Sequence, residues 1–542
     1  MVIINESKNS GVLVPVWHKT SCQFNLYDNP FALLLTHSVT QSLPIATMSL
    51  LTMLLLFALA SLARGDTCST LATTTSIEVA TPIELTYITE QMDYWSTSCS
   101  ALTPTCIIFP RTADEVSVIL SLLHSNNESF AIKSGGHNPN NFWSSVSSGP
   151  VISTQRMDSL TIDAATGIIT IGPGNRLDEA AAKLQGTGWT FVGGRIGHTG
   201  VGGLLVGGGL SYLSTQHGWA ASSVLEFEIV LANGTITRAT ATQHPDLFKA
   251  LKGGGNNFGL VTSYVVQGYP QGDVVGGNLV FLRTPSTDEQ ILQAVRDFTE
   301  YNTDDKAAII VTAERTNLNL VDSWILFLFY DGPTVPPGTF DNFTAIGPTL
   351  NTVRTRTYAD LLAFSNWVVI KGSVVMIGTE TIPLPSASNS VQVMETIHAH
   401  WRNISSSVLD VPGLVASIAY QPFPKRIAQA AQQKGTDLIE ADPDADKLII
   451  EMNYSFIPQS EYPRMSDTME ATYSGIRQLV TNWQSTGVLP SGVYLPILMS
   501  YGFYRQDYFA RLKSENRALA RAVAESVDPQ GMFRERTGGW KP

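Results

Sequence analysis

The chain has 542 residues, of which 44% are hydrophobic and 15% charged, with a formal net charge of −12. It is too long for one ordinary core and too apolar for a disordered chain, so two or three domains, or two large interleaved ones, are expected. The acidic balance and the lack of a basic run argue against a nucleic acid or an anionic membrane as partner.

From Met48 the chain reads MSLLTMLLLFALASLARGDTC, with an apolar part of about a dozen residues. A bilayer span needs roughly 20. Small residues follow, with Ala58-Leu59-Ala60 and Ser61-Leu62-Ala63 as cleavage sites. This pattern fits a signal peptide over about 48–65, although no positive segment precedes it. Residues 1–47 read as an upstream start. Beyond the cleavage site the chain carries Asn-x-Ser/Thr sequons at Asn127, Asn233, Asn342, Asn403 and Asn453. Three cysteines remain there: Cys68, Cys99 and Cys106. An oxidising compartment would pair two of them and leave one thiol, and the sequence does not choose the pair. A secreted, N-glycosylated protein is the expectation.

Residues 107–270 alternate short strands and helices. CIIFP reads as a strand stopped by proline. The segment after Thr112 has Val116, Ile119, Leu122 and Leu123 at helical spacing, with Thr112 and Glu115 as a capping box. FAIKSGG is a buried strand running into a glycine turn. Residues 150–185 read as strands, with a turn at Thr166-Gly167, and then a helix. VLEFEIVLANGTITRAT reads as a hairpin with Asn233-Gly234 as a type I′ turn. From about 275 to 480, longer alternating strands such as AAIIVTAER and SWILFLFY appear with long helices. They predict an α+β domain on an antiparallel sheet. A last helix near LKSENRALARAVAESV is expected to pack back onto existing core.

Two features call for chemistry. His137 follows two glycines in IKSGGHNPNNFWSS, with no metal-ligand spacing around it and no nucleophile elbow. In residues 193–209, nine of seventeen positions are glycine. Apolar residues interleave this run and serine is scarce, so it is no flexible linker. It suits a loop whose backbone N–H groups approach an anion. The spacing is wrong for a dinucleotide-binding G-x-G-x-x-G turn. With LKGGGNNFGLVTSY at 251–264, three glycine-rich turns inside about 130 residues point to one extended ligand, such as FAD.

The order IKSGGHN, GPGNRL, GRIGHTGVGGLLVGGGLSYLSTQHGW, LANGTI, HPDLFKALKGGGNNFGLVTSY resembles the fungal berberine-bridge-enzyme-like FAD-linked oxidases. These belong to the vanillyl-alcohol-oxidase superfamily. QPFP at 421–424, KGTD at 434–437 and the tail ENRALARAVAESVDPQGMF are similar too, so the likeness covers nearly everything after residue 90. The resemblance implies an α+β architecture: a two-lobed PCMH-type FAD-binding domain at 66–270 and a substrate domain at 271–485 with an antiparallel sheet. A C-terminal segment, 486–542, would return to the FAD domain.

It also implies a set of cofactor contacts. These are Ser134, Gly135, Gly136, His137 and Asn138 in the first block, and Gly174 in the second. The long block would add Gly194, Ile196, Gly197, His198, Thr199, Gly200, Gly202, Gly203, Gly207 and Gly208. Val224, Ile229, Gly255, Phe258 and Gly259 complete the set. In the family the histidine of S-G-G-H bonds the flavin 8α-methyl, which maps to His137. Many relatives add a cysteine link where this chain has Ile196, so a single covalent bond is expected. His198 is expected near the isoalloxazine as a proton carrier. The position that gates oxygen maps to Thr199, a small residue, which favours an oxidase using O2.

The family's C-terminal Y-x-N appears here as Leu498-Met499-Ser500. The catalytic candidates are therefore Tyr501, Gln421 and Tyr454, and beside them Tyr420 and Glu451. Leu498, Met499 and VVMIG at 374–378 suggest an apolar pocket, hence an alcohol group on a small lipophilic secondary metabolite. A carbohydrate oxidase, a dehydrogenase and an oxidative cyclase are the alternatives. A monomer without a metal is expected.

Overall fold

A computed structural model of the chain describes residues 66–369 and 371–542. The signal-peptide segment at about 48–65 lies outside the described residues. Helix Ala113–Asn126 starts at Thr112, whose hydroxyl accepts the Glu115 amide at 3.2 Å. It buries Val116, Ile119, Leu120 and Leu123. This is the face that the spacing predicts, except that Leu120 replaces Leu122 at the core.

The adjoining four-stranded sheet runs Glu78–Ala80, Ile107–Phe109, Val151–Ser153, Ala131–Lys133. A five-stranded antiparallel sheet runs Leu160–Asp163, Ile168–Ile171, Leu260–Gln267, Val224–Val230, Ile236–Thr240. Its last two strands form the expected hairpin. The turn is not type I′, however: Gly234 is left-handed at φ 81°, but Asn233 is not. A type I′ turn requires both.

Residues 274–456 supply an eight-stranded sheet. Its main strands, in spatial order, are Val274–Leu282, Asp322–Tyr330, Ala307–Thr316, Val415–Phe423, Lys447–Phe456 and Val374–Pro383. Strand alternation gives this sheet two different faces. One face carries Trp324, Tyr420, Met452 and Tyr454 into a core with Ile291, Met394 and Met469 from helices Pro285–Tyr301, Ser390–Ser406 and Tyr462–Ser485. The other face turns towards the glycine-rich loops and forms one wall of the site.

The end of the chain returns to the N-terminal half. Ile497, Tyr508 and Phe509 share a core with Ile169, Phe227 and Tyr264. Met532 and Phe533 pack with Leu71, Ile108 and Val116. Asn127, Asn233, Asn342 and Asn403 are exposed. Asn453 lies within strand Lys447–Phe456 and lines the interior cavity. This fifth sequon therefore cannot carry a glycan in the folded chain.

Cys68 and Cys106 form a disulfide across 38 residues, joining helix Thr67–Thr74 to the start of strand Ile107–Phe109. Cys99 is the free thiol; it is buried, and burial pushes its pKa up to about 12. A loop of that length implies that Cys106→Ser costs about 4 kcal/mol through the unfolded state. Chemical denaturation should show that loss, and reductant should destabilise the native protein but not the variant.

Candidate active site

The site is built where two glycine blocks touch. A Cβ on Gly200 would stand 2.3 Å from the Gly135 nitrogen and 2.5 Å from Ser134 Oγ. A Cβ on Gly135 would stand 2.5 Å from the Gly200 nitrogen. Backbone thus packs directly on backbone, and overlap of that size excludes any side chain. Arg176 clamps the junction, donating to the Gly135 carbonyl at 3.0 Å and to Asp93 at 2.6 Å. The next residue, Gly136, is left-handed (φ 65°), and its carbonyl accepts the Trp95 amide at 3.0 Å.

His137 emerges from this junction and lies flat on Trp95, with ring centroids 4.4 Å apart and planes 9° apart. Its Nδ1 is 3.5 Å from His198 Nδ1, and no described protein group bonds its Nε2. Burial, with the nearby charges of His198 and Arg176, pushes the His137 pKa down to about 3. The ring is therefore neutral at ordinary pH, with a lone pair available. On the far side of His198, its Nε2 sits 3.9 Å from Asp93. Burial works against the Asp93 carboxylate, yet His198, Lys371 and Arg176 hold it far below the usual range.

A cavity of about 410 Å³ runs from this junction between the glycine loops and the large sheet. Of the expected cofactor contacts, Ser134, Gly135, Gly136, His137, Asn138, Gly194, Ile196, Thr199, Gly200, Gly202, Gly203, Gly207, Gly255 and Gly259 line it. Seven do not. Val224, Ile229 and Phe258 are buried in the core beneath. Gly174 packs against the Thr154 carbonyl, Gly197 against Asp178 and the Leu362 carbonyl, and Gly208 against Ile439. His198 stands behind His137, so it is not itself a wall of the cavity. Ile196 packs with Trp95, Val369, Val375 and Ile377, and there is no thiol at its position. One end of the cavity is closed by the chain's own tail. Gly539 and Trp540 line it, Trp143 meets Trp540 edge-on at 4.3 Å, and Asn257 donates to the Trp540 carbonyl at 3.0 Å.

On the opposite wall, Tyr501, Arg195, Gln421 and Glu451 form a bonded chain. Arg195 Nη2 donates both to the Tyr501 hydroxyl and to Gln421 Oε1. Gln421 Nε2 donates to Glu451 Oε2 at 2.5 Å. Burial raises the Glu451 carboxyl, outweighing Arg195 and Gln421. Burial likewise raises the Tyr501 phenol despite Arg195 beside it. Of the two the carboxyl is therefore the candidate base, and the phenol, raised from an already high value, stays protonated at neutral pH.

Tyr454 belongs to neither group. It points to the opposite face of the sheet, where its hydroxyl meets Ser405 at 3.1 Å and Thr472 at 3.0 Å. Tyr420 faces the same way and bonds His398 at 3.3 Å. Leu498 is buried in another core, whereas Met499 reaches the cavity. Arg195 escaped the reading of the sequence, although it is the one charged residue between Gly193 and Gly209.

The glycine cradle, the neutral histidine and a long cavity between loops and sheet suit an extended flavin dinucleotide, and together with the fold they define a flavoprotein oxidoreductase. Residues 104–240 match the FAD binding domain family. The chain is 39% identical over 467 residues to an uncharacterized FAD-linked oxidoreductase of Arthroderma benhamiae, covering 86% of this chain and 92% of that one. It is 32% identical over 394 residues to the FAD-dependent monooxygenase macF of Penicillium terrestre, covering 70% and 71%. Among solved structures, 6-hydroxy-D-nicotine oxidase from Arthrobacter nicotinovorans superposes with a TM-score of 0.68 at 21% identity, over 86% of this chain and 98% of that one. A variant of berberine bridge enzyme in complex with (S)-reticuline superposes at 0.69 and 15% identity, over 88% and 99%. This chain belongs to a family of FAD-linked oxidoreductases, and its fold is that of the berberine-bridge-enzyme-like oxidases.

The backbone contact at Gly135 and Gly200 yields a sharp expectation. Gly200→Ala should cost about 3 kcal/mol and impair FAD incorporation. Visible flavin absorbance per mole of protein and the melting temperature would both fall. Gly203→Ala should leave the fold intact, since no atom lies within 4 Å of an added Cβ there.

Proposed function

We propose that the protein is a secreted oxidase that holds FAD through one covalent bond from His137 and oxidises an alcohol to a carbonyl. The observation that carries the attachment is the neutral His137 ring, stacked on Trp95 and bonded on its Nδ1 side only. His198 accepts or relays the Nδ1 proton, and Asp93 stabilises the charge that develops on His198. The pair therefore orients His137 Nε2 for bond formation and is itself shielded from the cavity. Ile196 supports a single link.

FAD held along the glycine loops and at His137 would supply the two-electron acceptor, and the overall balance is an alcohol and O2 giving a carbonyl compound and H2O2. Everything else falls to side chains of this chain. Glu451 takes the hydroxyl proton, because its raised pKa makes it a competent base. Arg195 holds Gln421 and Tyr501 in place, and the protonated Tyr501 hydroxyl orients the substrate oxygen. Apolar walls from Ile310, Ile325, Phe327 and Ile377 exclude water. Thr199 leaves room for oxygen to approach. The four exposed sequons and the disulfide support a secretory route.

The relatives named as monooxygenases favour a second reading, in which one oxygen atom enters the product. Equimolar H2O2 without label from ¹⁸O2 in the product supports the oxidase. Label in the product supports the monooxygenase.

Two measurements test the proposal itself. The purified protein should stay yellow after acid precipitation, and His137→Ala should lose its colour under the same treatment. A colourless native precipitate rejects the covalent bond. Turnover should rise as pH climbs through the Glu451 pKa, because only the ionised form accepts a proton. Glu451→Gln should abolish that acid limb and lower kcat by about 100-fold, whereas an unchanged profile would remove Glu451 from the role.

A further inference from the structure

The cavity face of the large sheet carries a polar row that this chemistry leaves unused. Glu314 pairs across strands with Ser417, and Ser417 pairs with Asn453. All three line the cavity. None of their side chains has a hydrogen bond or ion pair with another described residue. Glu451, one row away, has its partner in Gln421. Burial alone pushes the Glu314 carboxyl above the usual range, and no neighbour offsets it. A partly buried acid without a partner costs free energy until something supplies a donor.

The surroundings of the row constrain what that donor is attached to. On the next strand Ser323 stands opposite Glu314, while Ile325 lies opposite Thr312 in the row of Glu451 and Phe327 lies opposite Ile310 beyond it, its ring stacked on Trp367 at 6.0 Å and 14°. This is a slot for a flat apolar body. Two residues along an antiparallel strand span about 7 Å and two strand spacings about 10 Å, so Glu314 stands about 12 Å from Glu451. A molecule reacting at Glu451 reaches Glu314 only if it is about two rings long.

We infer that Glu314, in one row with Ser417 and Asn453, is a specificity determinant that receives a hydrogen-bond-donating group, a hydroxyl or an ammonium, at the end of the substrate remote from the reacting carbon. The substrate is then an amphipathic molecule, apolar around its reacting end and oxygenated or basic at its far end. This refines the purely apolar pocket expected from Met499 and residues 374–378, and it rests on the oxidase reading for which end reacts. Asn453 belongs to the row as a polar contact, consistent with its inward orientation.

Three matched probes test the inference on the intact FAD-loaded protein: biphenyl-4-methanol, 4′-hydroxybiphenyl-4-methanol and 4′-(aminomethyl)biphenyl-4-methanol. Binding is read by quenching of tryptophan fluorescence, since Trp95 and Trp367 line the cavity. The rate of anaerobic flavin bleaching is read separately. The native protein should bind at least one donor-bearing probe about ten-fold more tightly than the parent. Glu314→Ala should bring all three probes to the parent's affinity, with flavin content and melting temperature unchanged. Glu314→Gln distinguishes the two donors: it should keep a hydroxyl preference and lose an ammonium preference. Equal affinity of the native protein for all three probes, no binding of any, or a preference that survives in Glu314→Ala overturns the assignment. Probe binding without flavin bleaching rejects the oxidase reading and leaves the Glu314 result standing.

Discussion

The contact of Gly135 on Gly200 is the constraint on which the rest of the site depends. Two loops distant in sequence meet with no side chain between them, and Arg176 closes the junction by bonding Gly135 and Asp93 together. That closeness aims His137 outwards and keeps His198 and Asp93 behind it. It also leaves the cavity edge lined by backbone, which is what a bulky, charged cofactor can approach. Any side chain at either position would push the loops apart and separate His137 from its supports. The high glycine content of residues 193–209 is explained in part by this approach and the cavity lining that follows from it, and in part by close packing of Gly197 on Asp178 and of Gly208 on Ile439.

The second determinant is the parity of the large sheet. Residues that alternate along one strand are divided between a helix-covered core and the reaction chamber. Glu451, Asn453 and Ser455 face the chamber, and Met452 and Tyr454 face the helices. The same holds on the neighbouring strand, where Ser417, Ala419 and Gln421 take one side and Tyr420 the other. A tyrosine two or three positions from a functional residue is thus removed from the chemistry by geometry, whatever its intrinsic suitability. The bonded chain Tyr501–Arg195–Gln421–Glu451 crosses between the glycine loop, the sheet and the returning C-terminal segment, so it exists only once all three are assembled.

Much of this was legible beforehand. The helix after Thr112, the strand before Ser134 and the long strands of the antiparallel sheet follow from periodicity and caps. The glycine blocks pointed to FAD because their density has few other uses, and His137 stood out for want of any other partner. The misses have physical causes. Val224, Ile229 and Phe258 lie in the core beneath the cavity because their motifs also shape the loops from below, which residue type alone does not report. Asn233 avoids the left-handed region because the connection is longer than a two-residue turn. Asn453 matches a glycosylation triplet, but a triplet does not report whether its strand faces outward.

The sequence by itself determined the local elements, the need for an extended ligand behind three glycine turns, the identity of the histidine offered to it, and the absence of a cysteine at position 196. These depend on residue type and short-range spacing, which no later folding step alters. Tertiary structure alone decided that Cys68 pairs with Cys106, that Arg195 joins Tyr501 to Glu451, that Trp540 closes one end of the cavity and that Glu314 faces into it without a partner. Each of these is a relation between segments tens to hundreds of residues apart, and a one-dimensional pattern carries no signal for which faces the packed sheet and loops will turn towards each other.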